Sequence, residues 1–308
     1  MIFSAPVFVL PATVDEPHHH AFHNQGTKMD LHERLRAAAQ LLKKADALLV
    51  TAGAGMGVDS GLPDFRGNEG FWKAYPPMAK LGVSFVEMAN PWWFDRDPSL
   101  AWGFYGHRLN LYRRTVPHGG FNRLLEIGNK KKEGYFVFTS NVDGQFQIAG
   151  FDEDRIEECH GSLHHLQCSR PCSQDIWEAR GVKPDIDEEQ FRARDPLPRC
   201  PKCGALARPN VLMFNDWDWI PHRTRIQSER FSRWLEGLSR SGSSLAVVEL
   251  GAGKAVATVR MTSEAAVRGG KATLIRINPR DHDVPAGHLA IEFGAEEGIR
   301  KILESAGA

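Results

Sequence analysis

The sequence predicts an α/β fold, a parallel sheet with helices on both faces, together with a smaller second domain. Three observations predict it. Short apolar runs recur between helical stretches, at residues 47–51, 134–140, 245–250, 272–278 and 289–293. The first of them opens into the stretch TAGAGMGVDSGLPDFRG, residues 51–67, with four glycines in its first eleven residues. Four of the five cysteines fall in two close pairs within one polar stretch.

In chain order, residues 31–45 place Leu31, Leu35, Ala38, Leu41 and Leu42 on one helical face, which predicts an amphipathic helix. The five apolar runs are short and largely unalternating, the pattern of strands buried on both faces of a parallel sheet. Residues 296–305 read as a closing helix. In such sheets ligands bind beyond the carboxyl ends of the strands, where the glycine turn falls. Two stretches interrupt the alternation: 68–115, dense in aromatic residues, and 162–207, which holds the paired cysteines. Both read as insertions forming the smaller domain. The sheet domain is then assembled from 30–67, 116–161 and 208–308.

Composition narrows the function. Hydrophobic residues make up 42% of the 308 and charged residues 25%; Lys+Arg and Asp+Glu both number 38, for a formal net charge of zero. Such a chain makes no global electrostatic claim on nucleic acid or on an anionic membrane, and neither is expected as a partner. Lys130-Lys131-Lys132 reads as a solvated loop. No apolar stretch approaches the roughly 20 residues that span a bilayer. The beginning, MIFSAPVFVLPATVDEP, is broken by Pro6 and Pro11 and has no Lys or Arg before Lys28, so it lacks the charged front of a leader peptide. Residues 1–29, including His18-His19-His20, are expected to be an extension outside the fold, and the protein is expected to be cytoplasmic.

The cysteine pairs are Cys168-x3-Cys172 and Cys200-x2-Cys203, the second framed by Pro201 and Gly204. Two pairs across a spacer bring four thiolates to one tetrahedral Zn²⁺. Disulfides are disfavoured in a chain without an export signal. Four sulfur ligands leave no open position, so the zinc is expected to be structural. Residues 173–199 read as polar with few apolar anchors, which makes the module dependent on its metal. Cys159 reads as a small packed residue.

Gly53, Gly55 and Gly57 follow a strand, the setting in which backbone N–H groups receive a diphosphate. Their spacing does not match G-x-G-x-x-G, so an ordinary dehydrogenase fingerprint is absent. Asp64-Phe65-Arg66 adds a carboxylate, a stacking ring and a cation. Thr139-Ser-Asn-Val-Asp-Gly places Asn141 and Asp143 at the same sheet edge, and Cys159-His160-Gly161-Ser162 follows just before the cysteine module.

"GAGMGVDSGLPDFRG", "TSNVDGQFQIAG", "CHGS", the paired cysteines, "RPNVLMF" and "IRINP", in this order, resemble the sirtuin family over roughly residues 33–305. The resemblance implies a Rossmann-like NAD-binding domain and NAD⁺ used as a co-substrate, with transfer of its ADP-ribose carbon to an acyl-lysine oxygen and release of nicotinamide. It implies that Ala52, Gly53 and Gly55 border the diphosphate, and that Asp64, Phe65 and Arg66 lie over the nicotinamide ribose. Asn141 and Asp143, with Ser140 beside them, hold the ribose and the carboxamide; His160 is the general base; Gly251 and Asn278 contact the adenosine half. An unperturbed imidazole pKa of about 6.5 suits that base.

The chain departs from the family pattern at Gly57 (commonly serine), Ser140 (glutamine), Phe146 (histidine) and Gly251-Ala252-Gly253 (Gly-Thr-Ser). It also departs in the peptide-gripping segment, where Phe214 is followed by Asn215-Asp216 rather than Gly-Glu. The first departures weaken phosphate and ribose contacts; the last bears on acyl-peptide binding. "QCSRPC", "LPRCPKCG" and "VVELGAG" resemble macrodomain-linked sirtuins that ADP-ribosylate proteins, although those carry glutamine at the position of His160. The expected function is therefore NAD-dependent protein-lysine deacylation, acting on an acylated protein. A sirtuin-type protein ADP-ribosyltransferase, with an ADP-ribose-accepting protein as partner, is the alternative, and a non-catalytic NAD or ADP-ribose binding module a third reading. Acyl preference and oligomeric state are not legible in the sequence.

Overall fold

The computed structural model describes residues 29–64 and 67–307. The expected extension, Met29 apart, lies outside the described residues, as do Phe65 and Arg66. The strands are β1 (Ala47–Ala52), β2 (Tyr135–Thr139), β3 (Ile156–Glu158), β4 (Gly161–Cys168), β5 (Ile176–Glu178), β6 (Ile186–Asp187), β7 (Arg192–Ala193), β8 (Ala207–Val211), β9 (Leu245–Leu250), β10 (Ala272–Ile277) and β11 (Leu289–Ile291). Six of them form one parallel sheet in the order β11-β10-β9-β1-β2-β3. The helices are α1 (Leu31–Lys44), α2 (Gly67–Ala74), α3 (Pro76–Lys80), α4 (Phe85–Met88), α5 (Trp93–Arg96), α6 (Pro98–Arg114), α7 (Gly119–Asn129), α8 (Gln145–Ile148), α9 (His222–Ser241), α10 (Thr258–Val267) and α11 (Ala295–Glu304). Among the described residues no helix is long and apolar enough to cross a membrane.

Alternation along each strand divides the sheet's side chains between its two faces. Leu48, Val50, Val137, Val248 and Ile275 meet α1, α7 and α11 on one face, through Leu35, Phe121 and Ile299. Ala47, Leu49, Phe136, Val247 and Leu274 meet α9 and α10 on the other, through Phe231, Leu238 and Val259. Burial on both faces explains why these strands read as continuous apolar runs. Asp30 and Glu33 start α1 with reciprocal hydrogen bonds, each 2.8 Å, to each other's backbone N–H.

The sequence reading anticipated five strands of this sheet; β3 is the sixth. Its residues Ile156-Glu157-Glu158 carry no apolar run, yet all three are buried. Glu158 is accommodated by an ion pair to Arg223 of α9, 2.5 Å, while α9 also takes the strand's backbone through Gln227 (3.1 Å) and Thr224 (3.2 Å).

The third core joins the two interrupting stretches. Phe71, Tyr75, Trp102 and Phe104 from the α2–α6 region pack with Leu163, Leu166, Ala179, Phe191, Ala193 and Ala207. Strands β5-β4-β8 make a three-stranded antiparallel sheet beside the β6-β7 pair. The expectation that residues 173–199 hold few apolar anchors is therefore corrected: Ala179, Phe191 and Ala193 are buried, with Val182, Ile186 and Leu197 packed against them.

Candidate active site and zinc-type cysteine cluster

The parallel strands end in register, with Ala52 opposite both Thr139 and Leu250, Leu250 opposite Ile277, and Thr139 opposite Glu158. The segments that follow these ends therefore converge: Gly53, Ser140-Asn141-Val142-Asp143, His160 and Gly251. The sheet order makes the junction of β1 and β9 the switch point, the place where doubly wound sheets take ligands. A cavity of about 390 Å³ opens there, lined by Gly53, Asp64, Ser140, Asn141, Asp143, His160 and Gly251 among others.

The glycine turn has a cause within the protein, beside the ligand role expected of it. A Cβ on Gly53 would lie 2.8 Å from the Ala252 Cα and 2.9 Å from the Gly251 carbonyl; one on Gly251, whose φ is +60°, would lie 2.3 Å from the Gly55 carbonyl carbon. The two turns pack backbone to backbone, so these glycines are required by the protein before any ligand enters. Their joined backbones form the cavity wall. Ala52, at the end of β1, Gly55 and Asn278 are not part of that wall. Asn278 is wholly buried; its side chain donates to the Ala252 carbonyl at 2.9 Å and accepts from the N–H groups of Arg280 and Asp281 at 3.0 Å. It ties the turn after β9 to the turn after β10.

Asn141 ties the second strand end to the first. Its Nδ2 donates to the Gly53 carbonyl at 3.0 Å, and its N–H donates to Thr139 Oγ1, which in turn donates to the Ala52 carbonyl. Asp143 is buried, accepts from the Gln145 N–H at 2.9 Å, and has its carboxyl pushed up to about 6, chiefly by burial. Burial also holds the His160 imidazole below its ordinary value, against a hydrogen bond to the Ser140 backbone. A neutral ring at physiological pH can accept a proton, the property a base needs. Phe146, at the family's histidine position, is a core residue against Phe121 and Phe151.

Two features went unread in the sequence. A second cavity of about 260 Å³ adjoins the first, sharing Ser140, His160 and Arg108, with Tyr105, Val211, Met213 and Phe214 in its wall. Arg108 of α6 is buried, donates to the Tyr112 hydroxyl at 3.0 and 2.8 Å, and lies over the Phe104 ring at 5.1 Å. The four-residue spacing of Arg108 and Tyr112 on one helix was the available signal. Asn215 and Asp216, read as a departure from the peptide-gripping segment, form a fixed turn. Asn215 adopts φ +56°, a left-handed conformation that asparagine tolerates where glycine is usual. Asp216 turns inward onto Arg208 and also accepts from the Met213 N–H at 3.3 Å, which fixes Met213 and Phe214 against the second cavity.

Away from this site, Cys168, Cys172, Cys200 and Cys203 bring their Sγ atoms within 4.8 Å of one another. Cys168–Cys203 and Cys172–Cys200 are each 3.7 Å apart. A zinc tetrahedron with Zn–S of about 2.3 Å has edges of roughly 3.8 Å, so the cluster fits that ion. Cys159 is half-buried, and burial raises its thiol pKa, which suits a packed residue rather than a nucleophile.

Residues 53–248 match the sequence profile of the Sir2 family. The chain is similar to NAD-dependent protein deacylase 1 of Caldanaerobacter subterraneus, 28% identical with 86% of this chain and 96% of that protein aligned. It is likewise similar to the NAD-dependent protein deacylase of Thermus thermophilus, 30% identical over 88% of this chain and 94% of that one. Among solved structures, a Sir2 homologue in complex with ADP ribose superposes with a TM-score of 0.65 at 25% identity, over 88% of this chain and 96% of the homologue.

Proposed function

The chain belongs to the Sir2 family, and from that premise we propose that it is an NAD-dependent protein-lysine deacylase, converting acyl-lysine, NAD and water to lysine, nicotinamide and O-acyl-ADP-ribose. The observation that carries this reading is the place of His160, on the shared wall of two adjoining cavities. The larger takes the dinucleotide. The smaller, with Val142, Val211, Met213 and Phe214 in its wall, takes the acyl end of a lysine. Protein ADP-ribosylation needs only the first cavity, and Asp216 fixes the turn that walls the second.

Bound NAD supplies an electrophilic ribose carbon once its nicotinamide bond is broken. The chain's residues orient the partners and move one proton. Asn141 and Asp143 hold the ribose and the carboxamide, and neutral His160 takes the proton of a ribose hydroxyl. Asp64 lines the first cavity, and Arg280 meets its carboxylate at 3.1 Å. The zinc site is structural: four thiolates complete the coordination, and β4 runs from Gly161, beside His160, to the ligand Cys168.

Arg108 bears on the acyl group. An alkyl chain ending beside a buried guanidinium gains nothing from its charge, whereas an acyl group ending in a carboxylate gains a charge-assisted hydrogen bond. We therefore assign the second cavity to a short dicarboxylic acyl group such as succinyl. Kinetics on matched acetyl- and succinyl-lysine peptides test this. Succinyl should be preferred by at least roughly tenfold in kcat/KM, and Arg108→Met should remove the preference. Equal use of both peptides by the wild type would refute the assignment.

A further inference from the structure

The turn after β9 reads Gly251-Ala252-Gly253-Lys254 and offers no hydroxyl to a diphosphate. Gly57 offers none either, and Leu62 Cδ1 lies 3.0 Å from where its Cβ would stand. Yet the described wall of the cavity beside these turns holds more carboxylates than cations, with Asp64 already met by Arg280. It carries three carboxylates, Asp64, Asp143 and Asp281, and two cations, Arg108 and Lys254. Arg108 is shared with the second cavity and is bound to Tyr112. Lys254 directly follows the backbone wall made by Gly251-Ala252-Gly253.

The ammonium of Lys254 lies 2.9 Å from Asp283 Oδ1, in an exposed pair with side chains 60% and 62% accessible. Asp283 does not depend on it. Arg260 reaches the other carboxylate oxygen at 2.9 Å and the Asp283 carbonyl at 3.1 Å, and holds the Asp281 carbonyl at 2.7 Å. Exposed pairs of this kind contribute little to stability, so Lys254 can leave its partner without disturbing the loop. Lysine's flexible stem and compact charge suit it to reach a phosphate a few ångströms away.

We propose that Lys254 is a diphosphate-binding residue: on cofactor entry its ammonium leaves Asp283 and pairs with the diphosphate, replacing the hydroxyl contacts that Gly57, Ala252 and Gly253 cannot make. This rests on the NAD reading of the cavity and goes beyond it, to the residue that neutralises the cofactor's charge.

The test is calorimetric titration of the full chain with ADP-ribose and, separately, with adenosine, which carries no phosphate. Lys254→Met should weaken ADP-ribose binding by roughly 10-fold or more, the usual worth of a hydrogen bond to a charged group, and leave adenosine unchanged. Lys254→Arg should retain most of the affinity, and Asp283→Asn should keep or tighten it. Raising salt should weaken ADP-ribose binding less in Lys254→Met than in the wild type. Unchanged ADP-ribose affinity in Lys254→Met, or equal loss for both ligands, overturns the proposal and leaves the NAD reading standing. A wild type that binds neither NAD nor ADP-ribose overturns both.

Discussion

Arg208 grips Asp216 through two parallel hydrogen bonds of 2.7 and 2.8 Å, with side chains only 1% and 0% accessible. The pair closes the turn that follows β8, and through the Met213 N–H it sets the wall of the second cavity. Removing one partner leaves the other charge buried and uncompensated, a loss of about 3–5 kcal/mol. Asp216→Ala should therefore lower the unfolding free energy by about that amount and raise KM for the acyl-peptide more than KM for NAD. Denaturant unfolding and two-substrate kinetics read these directly. A stability loss under about 1 kcal/mol contradicts a structural role for the pair.

Asp143 carries a conflict between stability and binding. Its carboxyl is raised from 3.8 to about 6 by burial, and Glu158 nearby adds to the rise, while the Gln145 N–H opposes it. Between those two values the folded chain keeps a proton that the unfolded chain has released. Stability therefore falls as pH rises through roughly 4 to 6, and the loss, about 3 kcal/mol for two units, persists above. Asp143→Asn removes the buried charge and can keep the Gln145 hydrogen bond. It should be more stable than the wild type at pH 8, nearly equal at pH 4, and weaker for NAD. Lower stability of the asparagine variant at pH 8 would falsify the burial argument.

The parallel sheet was legible because β1, β2, β9 and β10 are buried on both faces and so write their burial as apolar runs. The third strand was not, because Glu157 and Glu158 fill it with buried carboxyls. Glu157 is pushed up to about 7 by burial, and Glu158 is met by an arginine sixty-five residues on. No local pattern encodes that partner. His160, Asn141 and Asp143 were legible through the resemblance, and the structure brings all three to one cavity. The glycines were read for a ligand, but Gly53 and Gly251 answer first to each other, a contact between turns some two hundred residues apart. Arg108 and Lys254 were missed because an arginine on an aromatic helix and a lysine in a loop look like ordinary surface residues until the fold turns them onto the cavity.

The cysteine cluster predicts roughly one zinc per chain by elemental analysis. Loss of the metal should loosen the module without unfolding it completely, because Ala179, Phe191 and Ala193 remain anchored on α6 and its neighbours. Cys200→Ser should lower the melting temperature and reduce turnover more than ADP-ribose binding, since the sheet domain keeps its own two cores. Metal-free protein with full turnover contradicts a structural zinc.

The central claim is that His160 serves a reaction joining the two cavities. It is tested most directly by following one reaction with NAD and an acyl-lysine peptide, measuring nicotinamide, O-acyl-ADP-ribose and peptide mass together. The wild type should give the three changes in equal amounts, and His160→Ala should lose roughly 2–4 orders of magnitude in rate while still binding ADP-ribose. Nicotinamide release with ADP-ribose added to protein and no loss of acyl groups across a broad panel of peptides contradicts the claim.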